Sequence, residues 1–261
     1  MGIVNVTPDS FSDGGRYGDA AGAIAAARAM VAAGADLIDV GGESTRPGAA
    51  PVAPEEEQAR VLPVISALAG EGVTVSVDTR NATTMAAALD TGARIVNDVS
   101  ALAHDPAALP LAAARGCPVV LMHMRGTPAT MQQQTEYGDV ARDVACELAA
   151  RLDAAERAGI ARGALALDPG IGFAKTTAQN IELLARLPLL LALGCRLVVG
   201  VSRKGFIGRV AGPAEPSRRL GGSLAAGLAA LGGGASVLRV HDVAETVQAV
   251  RIWNQIVSLS I

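Results

Sequence analysis

VTVSVDTRNATTMAAALDTGARIVNDVS, residues 73–100, holds a complete strand–helix–strand unit. A β-branched run over 73–77 stops at the carboxylate of Asp78. An Ala-rich helical stretch follows, and a second run over 94–97 stops at the amide of Asn97. The second run, Arg94-Ile95-Val96-Asn97, does not alternate between apolar and polar, and runs such as VVLM (119–122) do not either, which is the pattern of strands buried on both faces of a parallel sheet. Outward from this stretch the same unit recurs, with runs at 3–6, 36–40, 118–122, 164–168, 196–201 and 236–240 bringing the number to eight. The eight polar ends are Asn5, Asp39, Asp78, Asn97, His123, Asp168, Ser202 and Arg239. Eight such units predict an α/β fold, a single (β/α)8 TIM barrel over 1–261 as one domain, whose strand ends converge on one mouth.

The helical stretches carry their own signals. One is expected over about 20–33, and the next follows Pro54, with Glu55, Glu56 and Glu57 in a first turn that suits the helix dipole. Asp105-Pro106 predicts a cap with proline at the first helical position of the fourth helix. Val140, Val144, Leu148 and Leu152 lie four apart and predict one buried stripe. Asp242 with Glu245 predicts a capping box. Three strand-to-helix connections show no helical period: Thr7 to Gly18, Gly41 to Ala53, and Met124 to Gln134. In a barrel such connections sit at the catalytic mouth and act as lids. Phe11, Asp13 and Arg46 in the first two point to function.

Composition narrows the class. Half of the 261 residues are hydrophobic, enough for one large core, and a net charge of -3 without a basic stripe excludes a nucleic-acid binder. Aromatic residues make up 2%, too few for a base-stacking platform. Cys117, Cys146 and Cys195 have no metal-ligand spacing and are expected to be buried, reduced thiols. The start MGIVNV has neither a basic segment nor a cleavage site, and no apolar run reaches membrane-spanning length, so a cytoplasmic enzyme is expected.

Chemistry concentrates after the strands. LDPGIGFAK (167–175) sets the carboxylate of Asp168 beside a tightly bent backbone, where it is able to accept two parallel hydrogen bonds from an amino-pyrimidinone edge. VGVSRKGFIG (199–208) places Ser202, Arg203 and Lys204 at the mouth, and LRVHDV (238–243) adds Arg239 and His241, a plausible anion site. Asp78 and Asn97 are expected to face the barrel axis and Asp98 to point away. Met122 reads as a soft wall for a flat ring and His123 as a hydrogen-bonded structural histidine. The Gly221-Gly222-Ser223 segment reads as a site of close helix packing.

MGIVNVTPDSFSDGG (1–15), GADLIDVGGESTRPG (34–48), SVDT (76–79), NDVS (97–100), LMHMRGTP (121–128), LDPGIGFAK, VGVSRKGFIG and LRVHDV together resemble the dihydropteroate synthase family, folate-pathway enzymes targeted by sulfonamides. The resemblance spans nearly the whole chain, with one motif at each strand end. It implies condensation of 6-hydroxymethyl-7,8-dihydropterin diphosphate with 4-aminobenzoate to 7,8-dihydropteroate, with release of diphosphate. The pterin pocket it implies is Asp78, Asn97, Met122, Asp168, Phe173 and Lys204. The diphosphate site would use Asn5, Thr45, Arg239 and His241, with Mg²⁺ as cofactor and Asn5 as its ligand. The 4-aminobenzoate pocket would use Phe11, Thr45, Arg46, Pro47, Ser202 and Lys204. Asp78, Lys204 and Asp13 would be catalytic. A homodimer is implied through helices of the C-terminal third, where Leu224, Leu228 and Leu231 form an apolar stripe. In the family a short segment precedes the first strand, and here the sequence starts within that strand, which implies either a less covered barrel floor or a fragment of a longer chain.

Two other readings share part of this inventory. A corrinoid-linked pterin-binding methyltransferase has the same barrel and the carboxylate–Asn pocket, but no use for the SRKG, RVHD and STRPG segments. A pterin-binding homologue without catalysis would not need the first two loops intact.

Overall fold

The computed structural model describes residues 1–7, 16–46, 48–212 and 215–259. Eight strands form its frame: β1 (Gly2–Asn5), β2 (Ile38–Gly41), β3 (Val75–Asp78), β4 (Ile95–Asp98), β5 (Val119–Met122), β6 (Leu165–Asp168), β7 (Arg196–Val199) and β8 (Val237–Leu238). They pair in sequence order, every pair parallel. A parallel bridge between Gly2 and Val240 brings the last strand back to the first, with Ile3 N donating to Val240 O at 3.0 Å. The expected barrel is present. Its strands begin and end within a residue or two of the apolar runs, except that β8 keeps only two residues.

The outer helices are α1 (Arg16–Ala32), α2 (Pro54–Gly70), α3 (Ala82–Thr91), α4 (Ala108–Arg115), α5 (Val140–Arg157), α6 (Thr177–Ala185), α7 (Pro188–Leu191), α8 (Gly205–Ala211), α9 (Leu220–Gly232) and α10 (Val243–Ser258). The α5 stripe is buried as its spacing requires, and the Asp139 side chain caps that helix by accepting from Arg142 N at 3.0 Å. A full capping box, Thr176 with Gln179, opens α6. Gly222 packs closely, since a Cβ there would lie 2.3 Å from Ile207 Cγ2.

Two caps differ from expectation. Asp105 does not cap α4, which starts at Ala108; its carboxylate accepts instead from Ala107 N and from Ala82 N, tying α3 to the next loop. Asp242 stands at the N-cap of α10, but its carboxylate pairs with Arg203 and makes no cap bond. An ion pair with a guanidinium outcompetes a lone amide for the same oxygens. Cys117 and Cys195 are buried, whereas Cys146 is exposed on α5. No helix among the described residues is long and apolar enough to cross a membrane.

Candidate active site

The layer at the mouth follows from register. Asn5 pairs with Gly41, Gly41 with Asp78, and Asp78 with Asn97, so these residues share one rung of the barrel. On the opposite wall Met122 pairs with Asp168. Gly41 keeps the rung open: a Cβ there would press on Asp78 at 3.4 Å. Arg239, just after β8, reaches across the centre. Its Nε donates to Asp39 Oδ2 at 2.6 Å and its Nη2 donates to Asp78 Oδ2 at 2.7 Å. Asn97 Nδ2 donates to the same Asp39 oxygen at 3.0 Å. Asp39 is fully buried and serves the scaffold by aiming Arg239 and Asn97.

Burial pushes the Asp78 carboxyl up to about 7, although Arg239 opposes the rise, because Asp39 draws on the same guanidinium. The two carboxylates hold Arg239 firmly protonated against its own burial. Burial pulls the His241 imidazole down to about 4, and Arg203 and Arg239 add to the shift. His241 is therefore neutral near pH 7, so it is a hydrogen-bonding group and not a second cation. Ser202 Oγ accepts from His241 N at 3.1 Å and lies 3.1 Å from Nδ1. The hydroxyl still has its own proton to give to Nδ1, and in that arrangement the imidazole keeps Nε2–H as its donor.

On the other wall, Asp168 Oδ1 accepts from Gly170 N at 2.7 Å, and burial raises its pKa while Lys204 lowers it. Lys204, the N-cap of α8, donates to Ile171 O and lies 4.6 Å from the centre of the Phe173 ring. Burial brings its ammonium down to about 8, with Asp168 the leading group holding it up. The β6–α6 turn is thus the seat of both a carboxylate and a lysine contact.

The structure brings together Asp78, Asn97, Met122, Asp168, Phe173, Lys204 and Arg239, with Asn5 on their rung and the Ser202–His241 pair beside Arg239. Thr45 is half-buried and Arg46 exposed in the β2–α2 loop. Phe11, Asp13 and Pro47 lie outside the described residues. The β2–α2 loop is pinned at its base, where Arg80 pairs bidentately with Glu43 at 2.9 Å, both side chains under one-tenth exposed. Further along, Gly48 N donates to Pro128 O at 3.1 Å, joining this loop to the β5–α5 connection.

Sequence reasoning missed Glu43 and Arg80, and also Lys175. The last is 2% exposed and sits behind the β6–α6 turn against His123. One signal was available: the chain has 20 arginines and two lysines, and both lysines follow buried strands in glycine-rich turns.

Comparison with known proteins agrees with this geometry. Residues 1–241 match the family described as pterin binding enzyme. Dihydropteroate synthase of Escherichia coli strain K12 is 49% identical over 253 residues, covering 97% of this chain and 89% of the relative. The structure of Xanthomonas albilineans dihydropteroate synthase with 4-aminobenzoic acid superposes with a TM-score of 0.93 at 49% identity, covering 98% and 92% of the two chains. The same enzyme in complex with 7,8-dihydropteroate superposes at 0.90 with 46% identity, again covering 98% and 92%. With half its residues shared across nearly full length and the same barrel beneath them, this chain belongs to the pterin-binding enzyme family, among its dihydropteroate synthases.

Proposed function

We infer that this chain condenses 6-hydroxymethyl-7,8-dihydropterin diphosphate with 4-aminobenzoate to give 7,8-dihydropteroate and diphosphate, the dihydropteroate synthase step of folate biosynthesis. One observation carries the residue-level reading: Asp168 and Lys204 share the mouth with Asp78, Asn97 and Arg239, a set of buried acceptors and cations that suits a flat polar ring bearing a charged arm. In this reading Asp168 accepts from the amino-pyrimidinone edge of the pterin and Asn97 completes that edge. Lys204 donates to the ring's other polar side, and Met122 and Phe173 pack on its faces.

The chemistry then follows from charge. The bond between the pterin methylene and the diphosphate oxygen breaks, and both electrons leave with diphosphate. Positive charge develops at the methylene and spreads into the ring, where the Asp78 carboxylate, when ionised, stabilises it. The lone pair of the aminobenzoate nitrogen forms the new C–N bond, and the nitrogen then loses a proton. A neutral aromatic amine is already a nucleophile, so no strong base is required. Arg239 offers its remaining N–H groups to the leaving diphosphate, and His241 offers Nε2–H. We read the displacement as dissociative; heavy-atom isotope effects showing an associative transition state would remove the role given to Asp78.

Magnesium belongs to this reading as the companion of diphosphate. Asp39 and Asp78 against Arg239 leave the inner mouth formally one charge negative, so a diphosphate there needs a further cation. Asn5 fits as the protein ligand, since it ends β1 half-buried on the Asp78 rung and its side chain has no hydrogen-bond partner among the described residues. No three His, Cys, Asp or Glu side chains gather around a metal position among the described residues. That suits an ion held mainly by diphosphate and water. When bound, Mg²⁺ neutralises the charge that builds on the leaving group.

In this reading Thr45 reaches diphosphate, and Arg46 pairs with the aminobenzoate carboxylate, with Ser202 and Lys204 in the same pocket. Phe11, Asp13 and Pro47 complete that pocket in this reading. We also propose a homodimer through the packed pair α9 and α10, where Ile252, Ile256 and Leu259 are 60%, 59% and 88% exposed. The stripe Leu224, Leu228 and Leu231 lies half-buried beneath. Elution as a monomer at micromolar concentration would contradict the dimer. The activity is tested by supplying both substrates with Mg²⁺ and measuring diphosphate release that depends on 4-aminobenzoate. A folded protein that releases none refutes the assignment.

A further inference from the structure

The β6–α6 turn, Asp168 to Phe173, is held from within and from behind. Inside it, Gly170 N donates to Asp168 Oδ1 at 2.7 Å, Phe173 N donates to Gly170 O at 3.0 Å, and Gly172 N donates to Asn180 Oδ1 at 2.5 Å. Behind it, the Lys175 ammonium donates to Gly170 O at 3.1 Å and to Phe173 O at 3.0 Å, and lies 2.9 Å from His123 Nδ1. An ammonium has three N–H groups, and here three acceptors surround it. Because Nδ1 accepts, the His123 proton sits on Nε2, which donates to Glu147 Oε2 at 3.0 Å. Glu147 in turn clamps Arg125, whose guanidinium lies 3.9 Å above the Tyr137 ring.

A relay thus runs from α5 through the end of β5 to the turn, and the turn carries both pterin-facing polar groups. Asp168 is its first residue. Lys204 is seated on it through the Ile171 carbonyl and the Phe173 ring. Gly172 leaves room for that lysine, since a Cβ there would lie 3.1 Å from Lys204 Cδ.

We propose that Lys175 is a positioning residue for the pterin pocket: backed by His123 and Glu147, it fixes the turn that sets Asp168 and Lys204 against one edge of the bound ring. The proposal rests on the reading of Asp168 and Lys204 as the pterin-binding pair. Burial explains why a lysine in this place needs so full a set of partners. It pulls the ammonium down to about 7, and Asp168 and Glu147 hold it up against Lys204 and Arg125.

The test is calorimetric binding of 6-hydroxymethylpterin to the full chain, alongside steady-state kinetics. Lys175→Met keeps the length of the side chain and removes all three donors. It should weaken pterin binding about tenfold or more, the effect of losing charge-assisted bonds. The KM for 4-aminobenzoate at saturating pterin should stay within about twofold, a split that general loosening of the barrel would not give. Unchanged pterin affinity, or a parallel rise in both constants, overturns the proposal. If Lys175→Met does not fold, Glu147→Leu decides: Glu147 is partly exposed, and its loss should weaken pterin binding by a smaller factor and spare aminobenzoate. Unchanged pterin affinity in that variant overturns the proposal equally. Absence of pterin binding by the wild-type protein would instead remove the underlying reading, and this inference with it.

Discussion

Alanine at Gly170 should cost far more stability than alanine at Gly116. Both glycines hold positive φ, 67° and 60°. Each substitution therefore meets a backbone penalty of about 1–2 kcal/mol, offset by about 0.4–1 kcal/mol from the stiffer unfolded chain. At Gly116 nothing lies within 4 Å of the added methyl. At Gly170 the methyl would stand 1.9 Å from the His123 carbonyl oxygen and 3.0 Å from its carbonyl carbon. Those are backbone atoms at the end of β5, and they cannot rotate aside. The turn and the strand must part by more than about 1 Å to restore van der Waals contact. Parting them strains the bond from His123 N to Asp168 O, now 2.9 Å. Overpacking of this kind adds about 1–3 kcal/mol. The Gly116 variant should thus lose about 0–1.6 kcal/mol and the Gly170 variant roughly 1–4.6 kcal/mol, the difference being the overpacking at the turn. Urea denaturation at constant m value measures both. Equal midpoints for the two variants would show that the turn is not wedged against β5, and the account of this site would fail.

Three other outcomes are expected. The folded pKa of Asp78 is raised from 3.8 to about 7, so between those values the folded state keeps a proton that the unfolded chain has lost. Its contribution to stability is complete below pH 3.8 and is lost as pH rises through about 7; Asp78→Asn should remove that part of the slope, and equal slopes for the two proteins refute the shift. Lys204→Ala should reduce kcat/KM about a hundredfold or more while the chain stays folded by circular dichroism, since two charge-assisted contacts to substrate are lost. A near-normal rate would take Lys204 out of the site. Arg46→Ala should raise the KM for 4-aminobenzoate about tenfold and leave pterin binding alone. Loss of pterin affinity instead would mean that the β2–α2 loop serves the other substrate.

The barrel was legible because its signal is local and repeated. Each β-branched run closes in one polar residue, and eight repeats leave little choice of architecture. The sides on which Asp78, Asn97 and Asp98 fall were legible too, from strand alternation. Asp98 does turn away, to accept from Ser100 and Leu102 amides. Pairings across the barrel were not legible. Arg239 meets Asp39 and Asp78 from 200 and 161 residues away, and nothing near either carboxylate encodes the partner. The same distance problem hid Glu43 behind Arg80 and made Asp242 look like a cap when Arg203 had taken its oxygens. Lys175 was quoted within its motif but not weighed. A lysine in a turn usually reaches solvent, and only the packing of β5 against β6 shows that this one does not.

Those long-range pairings change what the mouth is able to bind. Taken as separate residues, Arg239 and His241 make a dication suited to diphosphate. In the folded chain the imidazole is neutral at pH 7 and the guanidinium is already shared between two carboxylates. The inner mouth is better suited to a developing cation at the pterin methylene than to a resting polyanion, which is what a dissociative displacement requires of it. In the proposed reading, further positive charge for the diphosphate then arrives from outside that cluster, on the metal ion. Arg46, which in the same reading pairs with the aminobenzoate carboxylate, stands on a loop fastened at Glu43–Arg80 and again at Gly48–Pro128, so the cation for the second substrate is also held apart from the cluster. In that reading the two demands are separated in space: the barrel supplies the anionic field for bond breaking, and the metal ion would supply the cationic field for the leaving group.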